Sequence, residues 1–259
     1  IYKSAEIHLG LPGRDEAIKK YNEFNRVLAS AGVKTGYMTW EPNQVLTTRF
    51  DVGEHTRGAV GRIVELNELE QRSYTHGKYY SQEEIWDNFS YFLDNILPVC
   101  AEIGMRISLH PNDPPVDNLC GISNLITSAD CYKKAFALAD DSPLLGMKLC
   151  TGCWLEGGEN FGNLIEDIKY FVKRKKVFTV HFRNVSSPLP NFEETLLEDG
   201  YMNMYEVMKQ LVRCDYDGLI HVDHVPQWSD SVGGENPAWS YSTGYMKALL
   251  ECAKTEINK

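Results

Sequence analysis

Residues 105–111 read MRISLHP, 145–152 LGMKLCTG, 177–184 VFTVHFRN and 218–224 GLIHVDH. Each is a short apolar run that predicts a strand, and each carries a potential metal ligand near its C-terminal end: His110, Cys150, His181 and Asp223. A barrel of parallel strands gathers strand-end side chains into one mouth, where such enzymes build their active sites. Four residues far apart in sequence are thereby expected to converge. Two imidazoles, a thiolate and a carboxylate form a mixed N/S/O donor set, which suits Zn²⁺, Mn²⁺ or Fe²⁺ and is too soft for Mg²⁺ or Ca²⁺. A lone strand-end histidine is more often a satisfied core or loop residue. Four such residues in register on successive strands are harder to dismiss.

The segments around these runs read as helices. Between residues 15 and 31, Ala17, Ile18, Tyr21, Phe24, Val27 and Leu28 form a helical stripe that Gly32 is placed to close. Ser81 with Glu84 three residues on is a capping box ahead of the apolar face Ile85, Phe89, Phe92, Leu93 and Ile96. Residues 131–140, 163–172 and 204–213 supply three further helices. Strand–helix alternation predicts βαβ units and a parallel sheet, with strands starting near Ala5, Val33, Met105, Leu145, Val177 and Leu219. That makes six, whereas a closed barrel of the commonest type has eight. The chain also opens on an apparent strand, YKSAEIHL. The expected fold is therefore α/β, a TIM-type (β/α) barrel in one domain over residues 1–259, lacking its first two βα units in this chain. An open doubly wound sheet is the alternative. The weakly periodic stretch from Asn43 to Thr75 reads as a long active-site lid, and Gln227 to Ser242 as a second flexible cover.

The chain has 259 residues, 43% hydrophobic and 24% charged, ordinary values for a globular protein. A net charge of −10 opposes binding to nucleic-acid backbones or anionic membranes. The one basic run, KRKK at 173–176, reads as a solvated helix end. No apolar run approaches the ~20 residues of a membrane span, and no signal peptide opens the chain. Seven cysteines in mostly apolar contexts suit free thiols in a reducing cytoplasm.

LHPNDPP, KLCTG, VHFRNV and VDHVP, in this order, resemble the D-mannonate dehydratase family. IHLGLPGRDEAIKKYN near the start, and GENPAW followed by TGYMKALL, extend the likeness over essentially the whole chain. The resemblance implies a TIM barrel in which His110, Cys150, His181 and Asp223 bind a catalytic Mn²⁺, with Fe²⁺ or Zn²⁺ as alternatives. It implies His224 as an acid/base residue, Arg183 and Asn184 as groups holding the substrate at the mouth, and His8 as a weaker substrate contact. The implied reaction is loss of water from a sugar acid, D-mannonate to 2-keto-3-deoxy-D-gluconate, by removal of the C2 proton and departure of the C3 hydroxyl. A cation on the carboxylate stabilises the enolate, and histidine suits proton transfer because it titrates near working pH. The competing readings are a metal-dependent sugar isomerase or epimerase on the same barrel, and a non-catalytic metal-binding paralogue.

The sequence departs from the family pattern in two places. Pro237-Ala238-Trp239 stands where the family has Pro-Gly-Tyr, and indole cannot exchange a proton at neutral pH. Tyr241, two residues on, is the replacement candidate. TWEPNQVLTTRF replaces the family's first loop, and Arg49, Arg57 and Arg62 are candidates for serving a different substrate. The two arginines of TRGAVGR, Arg57 and Arg62, are candidates for an anion clamp, with surface solvation the commoner role for each. Cys150 and Cys153 form a C-x-x-C without the second pair a zinc ribbon needs, so Cys150 reads as the ligand and Cys153 as a bystander. His221 shares the strand face of Asp223 one layer deeper and reads as a core residue or as one that backs the ligands. An incomplete barrel exposes strand edges, so a homo-oligomer is expected.

Overall fold

The computed structural model describes residues 4–229, 233 and 235–257. The chain divides into two compact units, one of residues 1–46, 72–148 and 175–178, the other of residues 47–71, 149–174 and 179–259.

The first unit opens on helices α1 (Ala5–His8) and α2 (Arg14–Ser30), followed by strand β1 (Thr35–Thr39). Residues 5–8 of the expected first strand are therefore helical. The Ser4 hydroxyl accepts from the Ile7 N–H at 3.3 Å and starts one helical turn, which buries Ile7 and His8. After the excursion into the second unit through β2 (Arg49–Val52), β3 (Val60–Glu65) and α3 (Leu66–Glu70), the chain forms α4 (Gln82–Ile103) and β4 (Arg106–His110). Both halves of the Ser81–Glu84 capping box are made, and Gly104 closes α4 in the left-handed conformation at φ 63°. Phe89 and Phe92 of α4 pack on Trp40 at ring-centroid distances of 5.1 and 5.5 Å, and Phe92 meets Tyr21 of α2 at 5.3 Å. A two-residue hairpin, β5 (Asn118–Leu119) and β6 (Ile122–Ser123), precedes α5 (Ala129–Leu138) and β7 (Leu145–Cys150).

The second unit continues with α6 (Thr151–Gly157), α7 (Leu164–Lys173), β8 (Val177–Phe182), β9 (Asn191–Glu193), α8 (Met204–Arg213), β10 (Leu219–Val222) and α9 (Glu235–Ile257). Five strands belong to one sheet in the order β1-β4-β7-β8-β10. The registers run parallel, Thr35↔Arg106 to Thr39↔His110, Ile107↔Leu145 to Leu109↔Met147, and Leu219↔Thr179 to Val222↔Phe182. Helices connect successive strands, as a (β/α) barrel requires. Along each strand one parity is apolar and deeply buried (Met38, Ile107, Leu109, Met147, Leu149, Val180, Phe182). The other parity is polar: Tyr37 and Thr39, Ser108 and His110, Lys148 and Cys150, Thr179 and His181. Of the expected metal ligands, His110, Cys150 and His181 belong to that second set, and Asp223 directly follows β10.

Two expected loops turn out to be structured. Residues 43–75 contain β2 and β3, which form an antiparallel sheet with β9 in the order β2-β3-β9. All four residues of β2 are exposed, so no alternation of burial marks it. The expected second cover runs into α9, which begins at Glu235; residues 230–232 and 234 of that stretch lie outside the described residues. The basic run is also more than a solvated helix end. Lys176 is buried, and its ammonium meets the Asp141 carboxylate at 2.9 Å and the Ser142 carbonyl at 2.8 Å. No described helix is long and apolar enough to cross a membrane.

Gly146 in β7 marks a close approach. A Cβ there would stand 2.5 Å from Phe178 Cζ and 2.6 Å from the Lys176 carbonyl oxygen. Gly146→Ala is expected to destabilise the protein by about 1–3 kcal/mol, because the backbone oxygen cannot rotate away. Urea denaturation measures this, and an unchanged midpoint would contradict the packing.

Candidate metal centre

Cys150 is both the last residue of β7 and the cap of α6, so strand and helix meet without a loop. Thr151 fixes that junction to the end of β8: its hydroxyl donates to the Arg183 carbonyl at 2.7 Å and accepts the Arg183 N–H at 2.8 Å. Gly152 follows because the Arg183 guanidinium crosses directly over it; a Cβ would lie 2.3 Å from Arg183 Cζ. The strand-end side chains Cys150, His181 and Asp223 thus meet inside the second unit. Cys150 Sγ lies 3.4 Å from Asp223 Oδ2 and His181 Nδ1 3.1 Å from Asp223 Oδ1, and the donor atoms of all three fall within 4.8 Å of one another. All three residues are buried, and His221 packs edge-on against His181 at 4.4 Å. His110 ends β4 in the first unit, buried, with Nδ1 2.7 Å from the Pro111 carbonyl, a contact that fixes its ring orientation.

Behind the donors lies a buried ion network that the sequence did not announce. The fully buried Arg183 reaches Glu156, Glu194 at 2.9 Å, Asp223 at 3.2 Å, and the sulfurs of Cys150 and Cys153 at 3.6 and 3.7 Å. Arg62 from β3 adds Glu194 at 3.2 Å, Glu156 at 3.5 Å and the Thr47 hydroxyl at 3.0 Å. Two guanidiniums therefore face three carboxylates, Glu156, Glu194 and Asp223, besides a thiol. Burial pushes the Asp223 carboxyl up and the Cys150 sulfur adds to this, but His181, Arg183 and His224 outweigh both and hold it well below the usual carboxylate range. Burial likewise opposes ionisation of Glu194, and His224 and Arg183 overcome it. Ionised carboxylate beside thiol and imidazole can hold a divalent metal ion.

His224, next to Asp223, directs Nδ1 to Glu194 at 2.8 Å, and that carboxylate raises its affinity for a proton well above the ordinary imidazole value. The expected substrate contacts fare differently. Arg183 spends its donors on the network described, and Asn184 is fully buried with its amide given to the Leu197 and Met202 carbonyls, both at 2.9 Å. Both groups hold the protein together and have no donors left for a substrate. His8 sits on α1, buried against Trp40 at 4.4 Å, and not on a strand end. Arg62 is a buried partner of glutamates and neither clamps an anion nor faces solvent. Tyr241 lies on α9; its hydroxyl donates to Glu198 and accepts from Arg57 at 3.3 Å, while Trp239 on the same helix is 40% exposed. Glu156 and Glu194 were missed: an acidic residue in a polar stretch gives no sign that two distant arginines will bury it.

The family model for D-mannonate dehydratase (UxuA) matches residues 61–254. The mannonate dehydratase of Thermotoga neapolitana is 31% identical over 253 residues, covering 85% of this chain and 69% of its own. That of Geobacillus thermodenitrificans is 30% identical over 254 residues, covering 85% and 67%. Among solved structures, the mannonate dehydratase from Streptococcus suis serotype 2 superposes with a TM-score of 0.85 at 24% identity over 99% of this chain and 77% of that one. An L-ribulose 3-epimerase superposes at 0.59 and 13% identity over 99% and 73%. At these identities the two structures speak for the barrel fold alone.

Removing Arg183 leaves three buried carboxylates undercompensated. Arg183→Met is expected to cost about 3–5 kcal/mol, and Arg183→Lys to recover little because a single ammonium cannot replace the planar fork. Denaturant midpoints of both variants test this; a Lys variant as stable as the parent would contradict it.

Proposed function

Because the chain belongs to the D-mannonate dehydratase family, a family of hydro-lyases, we propose that it dehydrates D-mannonate to 2-keto-3-deoxy-D-gluconate with a divalent metal bound by His110, Cys150, His181 and Asp223. The observation that carries this reading is the meeting of Cys150, His181 and Asp223 within 4.8 Å beside His224. Mn²⁺ is the proposed metal, and Fe²⁺ and Zn²⁺ suit the same donors. When bound, the metal supplies Lewis-acid stabilisation of the enolate that forms as the C2 proton leaves.

The chain's own residues do the remainder. Asp223 stays ionised because Arg183 and the flanking imidazoles oppose protonation, so it remains a ligand in a buried setting. Arg183 holds that carboxylate in place from behind. His224 is half-open to solvent and carries a proton readily, which suits it to protonate the departing C3 hydroxyl. Tyr241 is proposed as the second proton carrier in place of the family tyrosine. Its hydrogen bond to Glu198 raises the affinity of its hydroxyl for the proton, and Arg57 opposes that.

Metal removal gives the direct test. Chelator-treated protein is expected to form no 2-keto-3-deoxy acid from D-mannonate, and Mn²⁺, Fe²⁺ or Zn²⁺ to restore turnover. Full activity in the metal-free protein, or no product with any of the three metals, would sink the reading. Exchange of solvent deuterium at C2 without a keto-deoxy product would mark an isomerase or epimerase instead. His224→Ala is expected to lower kcat by about 10²–10⁴-fold in the metal-loaded protein, and Tyr241→Phe to lower it as well if that hydroxyl carries the second proton.

A further inference from the structure

His224 has one ring nitrogen committed to a buried group, while the other stands beyond hydrogen-bond reach of Asp223. Nδ1 lies 2.8 Å from Glu194 Oε1, whereas Nε2 stands 3.9 Å from Asp223 Oδ1. The imidazole is 40% exposed and the Glu194 side chain only 3%. The same Oε1 also receives Arg183 Nη1 at 2.9 Å and Arg62 Nη1 at 3.2 Å. The Glu194 backbone N–H donates to the Arg62 carbonyl at 2.9 Å, so residue 194 is held at its main chain and its side chain together. Two guanidinium donors on that oxygen, with the main-chain anchor, prevent the carboxylate from following a moving ring. The ring must come to the carboxylate.

We infer that Glu194 is a positioning residue: steadied by Arg62 and Arg183, it aims the His224 imidazole so that Nε2 is the nitrogen presented for proton transfer. The inference rests on the dehydratase reading for its kinetic consequence and on geometry alone for the contact. Arg62 brings a second element into the arrangement. It stands on β3, 132 residues before Glu194, so the antiparallel sheet of residues 49–65 and 191–193 braces the proton carrier. A side chain that only balanced the buried guanidiniums would do so with either carboxylate oxygen and would not need the imidazole within hydrogen-bond reach. Displacing a reacting group by about 1 Å costs about 10²-fold in rate, which sets the size of the effect.

The test uses the full chain loaded with the metal that best restores turnover. Glu194→Gln is expected to keep its metal content and a KM within about threefold of the parent, while kcat falls about 10²-fold. Glu194→Asp, which keeps the carboxylate, is expected to recover about tenfold of that loss. In substrate-free protein loaded with diamagnetic Zn²⁺, the His224 Nδ1–H proton resonance is expected far downfield in the parent and in Glu194→Asp, and moved upfield in Glu194→Gln. An unchanged resonance, an unchanged kcat, or a loss confined to KM in Glu194→Gln would overturn the inference. If Glu194→Gln does not fold, Arg62→Lys decides by the same two readouts: a shifted resonance with lower kcat at constant KM supports it, and no change in either overturns it. If the parent forms no keto-deoxy acid, the dehydratase reading fails and the resonance alone decides the contact.

Discussion

A single buried guanidinium organises this site. Arg183 leaves the end of β8 and meets Glu156, Glu194 and Asp223 with one planar fork, while its other edge faces the sulfurs of Cys150 and Cys153. Three elements are pinned by that one group: α6 through Glu156, the segment after β9 through Glu194, and the end of β10 through Asp223. A buried charge cluster is costly unless each member is paired and hydrogen-bonded. The cost explains the surrounding details. Gly152 is a glycine because the fork lies across it, and Thr151 sits where its hydroxyl can both give to and take from the Arg183 backbone.

The same cluster gives each carboxylate a separate task. Asp223 faces the thiol and the His181 imidazole and is held ionised. Glu194 faces His224 and is kept ionised by that imidazole and by Arg183, with Arg62 adding less. Glu156 is fully buried between the guanidiniums and balances their charge. Charge placed this way is preorganised: the dipoles and ions around a developing negative charge need not move when it appears. Arg62 extends the arrangement into a part of the chain with no place in the parallel sheet, so the small antiparallel sheet belongs to the working part of the molecule.

Much of the fold was legible because local rules and tertiary demands agreed. The capping box at Ser81 and the helix over 204–213 appear as their side-chain periods require. The helix closed by Gly32 forms as well, although it buries Ile18, Tyr21 and Asn25 and leaves Phe24 and Val27 of the expected stripe exposed. The strands that end in His110, Cys150, His181 and Asp223 were legible because one parity of each is apolar. Errors arose where burial was set by distant partners. YKSAEIHL fits a strand period, but Ser4 caps a helical turn over residues 5–8. β2 is exposed on both faces and carries no period at all. Lys176 looked solvated in a basic run, yet Asp141 and the Ser142 carbonyl hold it inside. Among the site residues, Arg183 and Asn184 were assigned to substrate from their motif, and the structure gives their donors to protein.

The sequence by itself determined which residues share a strand face and which donor atoms stand at strand ends, because the period of two and the 3.6-residue helical period are local properties. It also determined, through VHFRNV and VDHVP, the family to which the chain belongs. Only the tertiary structure decided what Arg62, Glu156, Arg183 and Glu194 do. A buried ion pair joins residues whose separation in sequence is arbitrary, and nothing near Glu194 in the chain signals that two arginines and a histidine will share its oxygen. The role of such a side chain is fixed by which charges the folded chain carries to it, and that is settled in three dimensions.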